Sequence, residues 1–135
     1  MVETCVAVAV VGVFIVSLCG GLAMGTGIIR SSRERQRATQ VMVEKFEMIR
    51  LYTWAQINSN GFVPTTFSAP FDPKQTNGGL VYNGRLSISS ATNTGAYKDD
   101  LRQVTVQLTW TSGSLVATQS MTSLVARYGM QNYIY

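Results

Sequence analysis

The chain opens on an apolar run broken near its start by Glu3, and from Thr4 to Ile29 it carries no charge. As a helix rising 1.5 Å per residue this run extends roughly 39 Å, longer than the ~30 Å hydrocarbon core of a bilayer. Residues 1–29 are therefore read as a membrane-length helix. After it the pattern becomes amphipathic: Ala38, Val41, Met42, Met48, Ile49, Tyr52 and Ala55 recur at helical spacing, and Glu44, Lys45, Glu47 and Arg50 hold the other side. That pattern predicts a helix over 30–58 with one face available to cover a sheet. Phe46, Leu51, Trp54 and Ile57 widen the stripe. Ser31 with Glu34 three residues on has the spacing of a capping box, which predicts that a helix restarts there. Asn58-Ser59-Asn60-Gly61 supplies the stop.

Residues 59–135 read as one globular part. Pro64, Pro70, Pro73, Asn77, Gly78 and Gly79 break regular structure over 61–79, with Phe62, Phe67 and Phe71 between them, so a long connecting loop pinned by aromatic rings is expected. Leu80-Val81-Tyr82, then Asn83-Gly84, then Leu86-Ser87-Ile88 predicts a hairpin turning at Asn83-Gly84. Val104 to Trp110 alternates apolar and polar over its whole length and is the clearest strand, with a turn at Ser112-Gly113 and a less regular partner over 114–125. The aromatic, uncharged tail Tyr128–Tyr135 is expected to pack on the sheet or on a neighbour. The predicted fold class is α+β: a long N-terminal helix, apolar then amphipathic, on a small antiparallel sheet.

Composition narrows the chemistry. The chain has 135 residues, no histidine, two cysteines and a net charge of +4. Without histidine the commonest general base and metal ligand is missing. The adjacent Asp99 and Asp100 would point to opposite faces of a strand, so they read as surface or capping residues, not a catalytic pair. No catalytic residue, cofactor site or metal site is assigned, and the protein is expected not to be an enzyme. Cys5 and Cys19 would lie about 21 Å apart along a helix, too far to bridge within one chain. The positive charge comes without an aromatic-basic platform, so no specific nucleic-acid partner is expected. There is no Asn-X-Ser/Thr acceptor, while the Ser/Thr-rich loops leave O-linked sugar open.

The glycines raise a separate question. Gly20, Gly21, Gly25 and Gly27 each cost about 1 kcal/mol against Ala in a helix interior. Close helix contact of the small-xxx-small kind, with Gly21 and Gly25 four apart, is one reading. A locally unwound stretch between about Val13 and Gly27 is the other. Glu3 likewise reads either as complement to the positive end of the helix dipole or as partner of a positive charge on another copy.

The segment Met1-Val2-Glu3-Thr4-Cys5-Val6-Ala7-Val8-Ala9-Val10-Val11-Gly12-Val13-Phe14-Ile15 resembles the mature N-terminus of type IV pilins and of the pseudopilins of type II secretion. In that family a glutamate follows a few apolar residues and precedes an apolar run with a Gly about nine residues on, as Glu3 and Gly12 do here. The family carries its glutamate fifth and this chain third, so two residues are expected ahead of Met1, and the absence of the family's short basic leader ending in Gly fits a processed chain. The resemblance covers about 25 residues; beyond them it is architectural. It implies a helical homopolymer in which Glu3 neutralises the N-terminal amine of a neighbouring subunit and favours one axial register. The implied assembly residues are Glu3, Gly12, Phe14, Gly20, Gly21 and Gly25, with Met1 as the processed N-terminus. The implied partners are identical subunits, the membrane before assembly, prepilin peptidase and the inner-membrane assembly machinery; the implied location is the bacterial inner membrane, then an extracellular filament. Arg30, Arg33, Arg35 and Arg37 against Glu34 give a local charge of +3, which on the positive-inside rule alone would hold the C-terminal part in the cytoplasm. The family places that part outside, its removed leader supplying the opposing charge. Two other readings stand beside the filament subunit: a minor pseudopilin or priming subunit, and a single-pass membrane protein that never polymerises.

Overall fold

A computed structural model describes residues 1–74, 79–92 and 95–129. The chain divides into two compact units, Met1–Glu34 and Arg35–Tyr135. Helix α1 runs Val2–Arg50, and a short helix α2 spans Trp54–Asn58. Four strands follow, β1 (Thr66–Pro70), β2 (Val81–Ser90), β3 (Leu101–Ser112) and β4 (Leu115–Ala126), with a 3₁₀ turn at Gly95–Asp100 before β3. They form one antiparallel sheet in the order β1-β2-β3-β4. The fold is α+β, as the pattern predicts.

In the second unit, the core lies between the α1 residues from Arg35 onward and one face of the sheet. Ala38, Val41, Met42, Phe46 and Ile49 of α1 pack with Ile57, Val63, Tyr82, Leu86, Val104, Val106, Leu108 and Trp110. The inward residues of β3 follow the two-residue period of the strand. Tyr82 and Trp110 meet edge to face, their centroids 5.3 Å apart, a geometry that adds about 0.5–1.5 kcal/mol beyond burial. The amphipathic stripe is confirmed at Ala38, Val41, Met42 and Ile49, but Met48 is exposed at its rim, and Phe46 takes a core place.

Three local expectations are corrected. First, no helix restarts at Ser31. Helix α1 is already running there, so Ser31 has no orphan N–H donors to cap, and Glu34 instead accepts from Arg30 Nε at 2.9 Å. Second, the helix does not run on to Asn58. It ends at Arg50 in tightened bonds, Leu51 N–H to Met48 O and Tyr52 N–H to Ile49 O, and Thr53 adopts an extended conformation (φ −70°, ψ 157°). A capping box then starts α2: Gln56 N–H donates to Thr53 Oγ1, and Thr53 N–H donates to Gln56 Oε1. The break resets the helical phase, so Ala55 is exposed and Ile57 buried.

The third correction concerns Asn83-Gly84, which is no turn but the interior of β2. The stretch read as loop contributes its partner: β1 pairs with β2, Phe67 lying opposite Gly84. A Cβ at Gly84 would collide with the Phe67 ring, so glycine is required here by close packing, not by turn geometry. Pro70 closes β1 at the edge of the sheet, where its missing N–H costs no ladder bond. Of the expected aromatic pins, Phe62 meets Tyr52 edge to face at 5.4 Å, and Phe67 packs against the core beneath Lys45 Nζ, 4.6 Å from its centroid. The β3–β4 turn falls at Gly113-Ser114, between the paired Ser112 and Leu115. Gly113 has φ +62°, as a two-residue hairpin with glycine first requires. Of the tail, residues 130–135 lie outside the described residues, as do Asn77 and Gly78 of the loop.

Candidate functional site: the apolar half of helix α1

Every candidate assembly residue sits in the Met1–Glu34 unit. The most apolar eighteen-residue window of α1 has a mean hydropathy of 2.6, and none of it is buried. Val2, Val8, Val13, Phe14, Val16 and Leu22 are all more than half exposed. They lie on every side of the helix, not along one stripe. A helix apolar all round is stable only where lipid or other protein surrounds it, and this one is long and apolar enough to cross a membrane.

Glu3 occupies the first turn of α1. A carboxylate there faces the positive end of the helix dipole, which favours it by about 0.3–1 kcal/mol. Thr4 Oγ1 donates to Met1 O at 2.8 Å, occupying one backbone acceptor in that turn. Among the described residues no ion pair involves Glu3.

The glycines do not interrupt the single chain: α1 is helical through Gly12, Gly20, Gly21, Gly25 and Gly27. A side chain at any of these positions would meet nothing within 4 Å, so none is required by packing within this chain. Their effect is on the helix surface. Phe14, Ser17, Leu18, Gly21 and Leu22 line a shallow 320 Å³ apolar notch. Ser17, Gly21 and Gly25 are spaced by four along one face, the arrangement that lets a second helix backbone approach closely. Ser17 also donates to Val13 O at 2.9 Å, a back-bond that satisfies the hydroxyl without a second chain and slightly weakens the helix there.

At the end of this unit the basic cluster is partly tied down. Glu34 is 4% exposed, and its ion pair with Arg30 supplies the charge partner a buried carboxylate needs. Arg37, in the second unit, donates to Phe71 O at 3.2 Å and pairs with Glu44 at 3.1 Å. Cys5 and Cys19 are free. Asp99 and Asp100 end the 3₁₀ turn, where Asp100 meets Arg127 at 3.6 Å and the Asp99 carbonyl accepts from Arg102. Thr53 and Gln56 stand outside the sequence-predicted site residues, although Thr53-Trp54-Ala55-Gln56 carries the same capping-box signature as Ser31 with Glu34.

Comparison with protein-family models, with curated proteins and with solved structures finds no match.

Proposed function

We propose that the chain is the structural subunit of a type IV pilus-like filament, held in a membrane before assembly and polymerised outside the cell through the apolar half of α1. One observation carries the reading: a membrane-length apolar helix, its most apolar eighteen residues unburied in the single chain and its first turn holding Glu3, is joined in sequence to a unit with its own core. In the filament such helices cover one another, and Glu3 neutralises the terminal amine of a neighbour. The notch at Gly21 suits close helix approach, and packing and register decide assembly because lipid already satisfies the apolar surface. On this reading the protein is a structural part, not a catalyst.

The test is Glu3→Leu in an expressing cell, followed by membrane fractionation and electron microscopy. The expected outcome is normal membrane insertion with filaments lost or reduced at least tenfold. Normal filaments from Glu3→Leu would refute the register role of Glu3. A wild-type chain that inserts but never forms filaments alone would favour the pseudopilin or single-pass readings.

A further inference from the structure

Among the described residues strand β4 lies at the edge of the sheet, and its own sequence lacks the usual protection of an edge. It runs for 12 residues with no charge and no proline, and its pairing with β3 is continuous, without a bulge. Edges are commonly blunted by those very features. Among the described residues β4 pairs only with β3.

The direction of its remaining backbone groups follows from a single hydrogen bond. Arg127 N–H donates to Asp100 O at 2.9 Å, one step beyond the Leu101–Ala126 pair. Hydrogen-bonded and non-hydrogen-bonded pairs alternate along an antiparallel ladder. The odd-numbered residues of β4 therefore aim their backbone groups at β3. Val116, Thr118, Ser120, Thr122 and Leu124 aim theirs at the open edge.

Those five residues are close to symmetric about Ser120. Thr118 balances Thr122, and Val116 balances Leu124; on the other parity Leu115 balances Val125 and Ala117 balances Ser123, while Gln119 faces Met121. Val116 and Leu124 are 71% and 41% exposed. We propose that two copies of this chain pair through their β4 edges, antiparallel about a two-fold axis at Ser120, and so join their sheets. Ser120 then opposes its own counterpart, Thr118 opposes the partner's Thr122, and Val116 covers the partner's Leu124. All three are pairs whose backbone groups face the edge, so the ladder hydrogen bonds form in register. Within one chain Thr105 meets Thr122 at 3.1 Å and Thr109 meets Thr118 at 3.4 Å, and the junction extends these contacts into a threonine row across both sheets. With no charge on either edge, no like-charge repulsion opposes the pairing. A two-fold contact closes on itself, whereas a helical filament needs a heterologous one, so this inference stands independently of the filament reading.

The test uses the full chain in detergent micelles, with mass read by sedimentation and folding by circular dichroism. Thr118→Lys/Thr122→Lys sets like charges opposite each other and is expected to weaken dimerisation at least tenfold. Thr118→Lys/Thr122→Glu sets opposite charges across the junction and is expected to retain the dimer. In a parallel pairing the second variant would repel as well. Ser120→Cys, in a background of Cys5→Ser and Cys19→Ser, is expected to be joined to its copy by a short bismaleimide, while Thr105→Cys, one strand further in, is not. A monomeric wild type, a folded double-lysine variant that dimerises normally, or a Ser120→Cys chain that fails to cross-link would overturn the proposal.

Discussion

Gly84 illustrates how one residue can mislead when read from its neighbours alone. Asn-Gly is a strong hairpin signal, yet here Gly84 is the bare floor on which the Phe67 ring rests. Gly84→Ala is expected to destabilise the fold by about 1–3 kcal/mol through overpacking. Phe67→Ala in the same chain should make the second change much cheaper, and a double-mutant cycle by urea denaturation measures that coupling. Gln119 gives a prediction of opposite sign. Its Nε2 donates to Thr39 Oγ1 at 2.9 Å, while its buried Oε1 has no hydrogen-bond partner. Thr39 keeps a bond to Arg35 O without it. Gln119→Met should therefore raise stability by about 1 kcal/mol, since an unsatisfied buried acceptor costs roughly 1–3 kcal/mol; a rise in thermal midpoint checks it.

Among the elements, helices and strands differ in how openly the sequence displays them. Strand β3 is plain because its alternation matches its burial from Val104 to Trp110. Strand β1 is hidden among prolines and phenylalanines, because a five-residue edge strand needs only three outward and two inward positions and draws its register from β2. The end of α1 was legible in principle. Thr53-x-x-Gln56 is a capping box, but the apolar stripe passes over it, and periodicity outweighs a local cap when the two are read together. Thr53→Ala is expected to cost about 1 kcal/mol, with faster amide exchange confined at first to α2. The same motif at Ser31 carries no cap, because a capping box acts only where the chain enters a helix.

For the whole molecule, the division at Glu34 falls between an apolar helical unit and a unit with its own core. Among the described residues the buried core cluster lies between Ala38 and Trp110, with Ala117, Met121 and Val125 packed against it, whereas the exposed apolar surface is concentrated before Arg30. A fragment of residues 35–135 is expected to stay soluble without detergent and to unfold in one cooperative transition, while the full chain partitions into micelles. Size-exclusion chromatography and a circular dichroism melt of the two, side by side, test this. A fragment that aggregates or melts without cooperativity would show that the second unit lacks a sufficient core.

By itself the sequence determined what is local or periodic: the membrane-length apolar run, the helical stripe of Ala38, Val41, Met42 and Ile49, the alternation of β3 and the α+β class. These follow from the spacing at which a helix or strand repeats its side chains, and need no distant partner. Tertiary structure alone decided the rest. It placed Gly84 under Phe67, drew β1 out of an apparent loop and left β4 at the edge, because strand pairing joins residues far apart in sequence. No short window records which neighbour a strand will find.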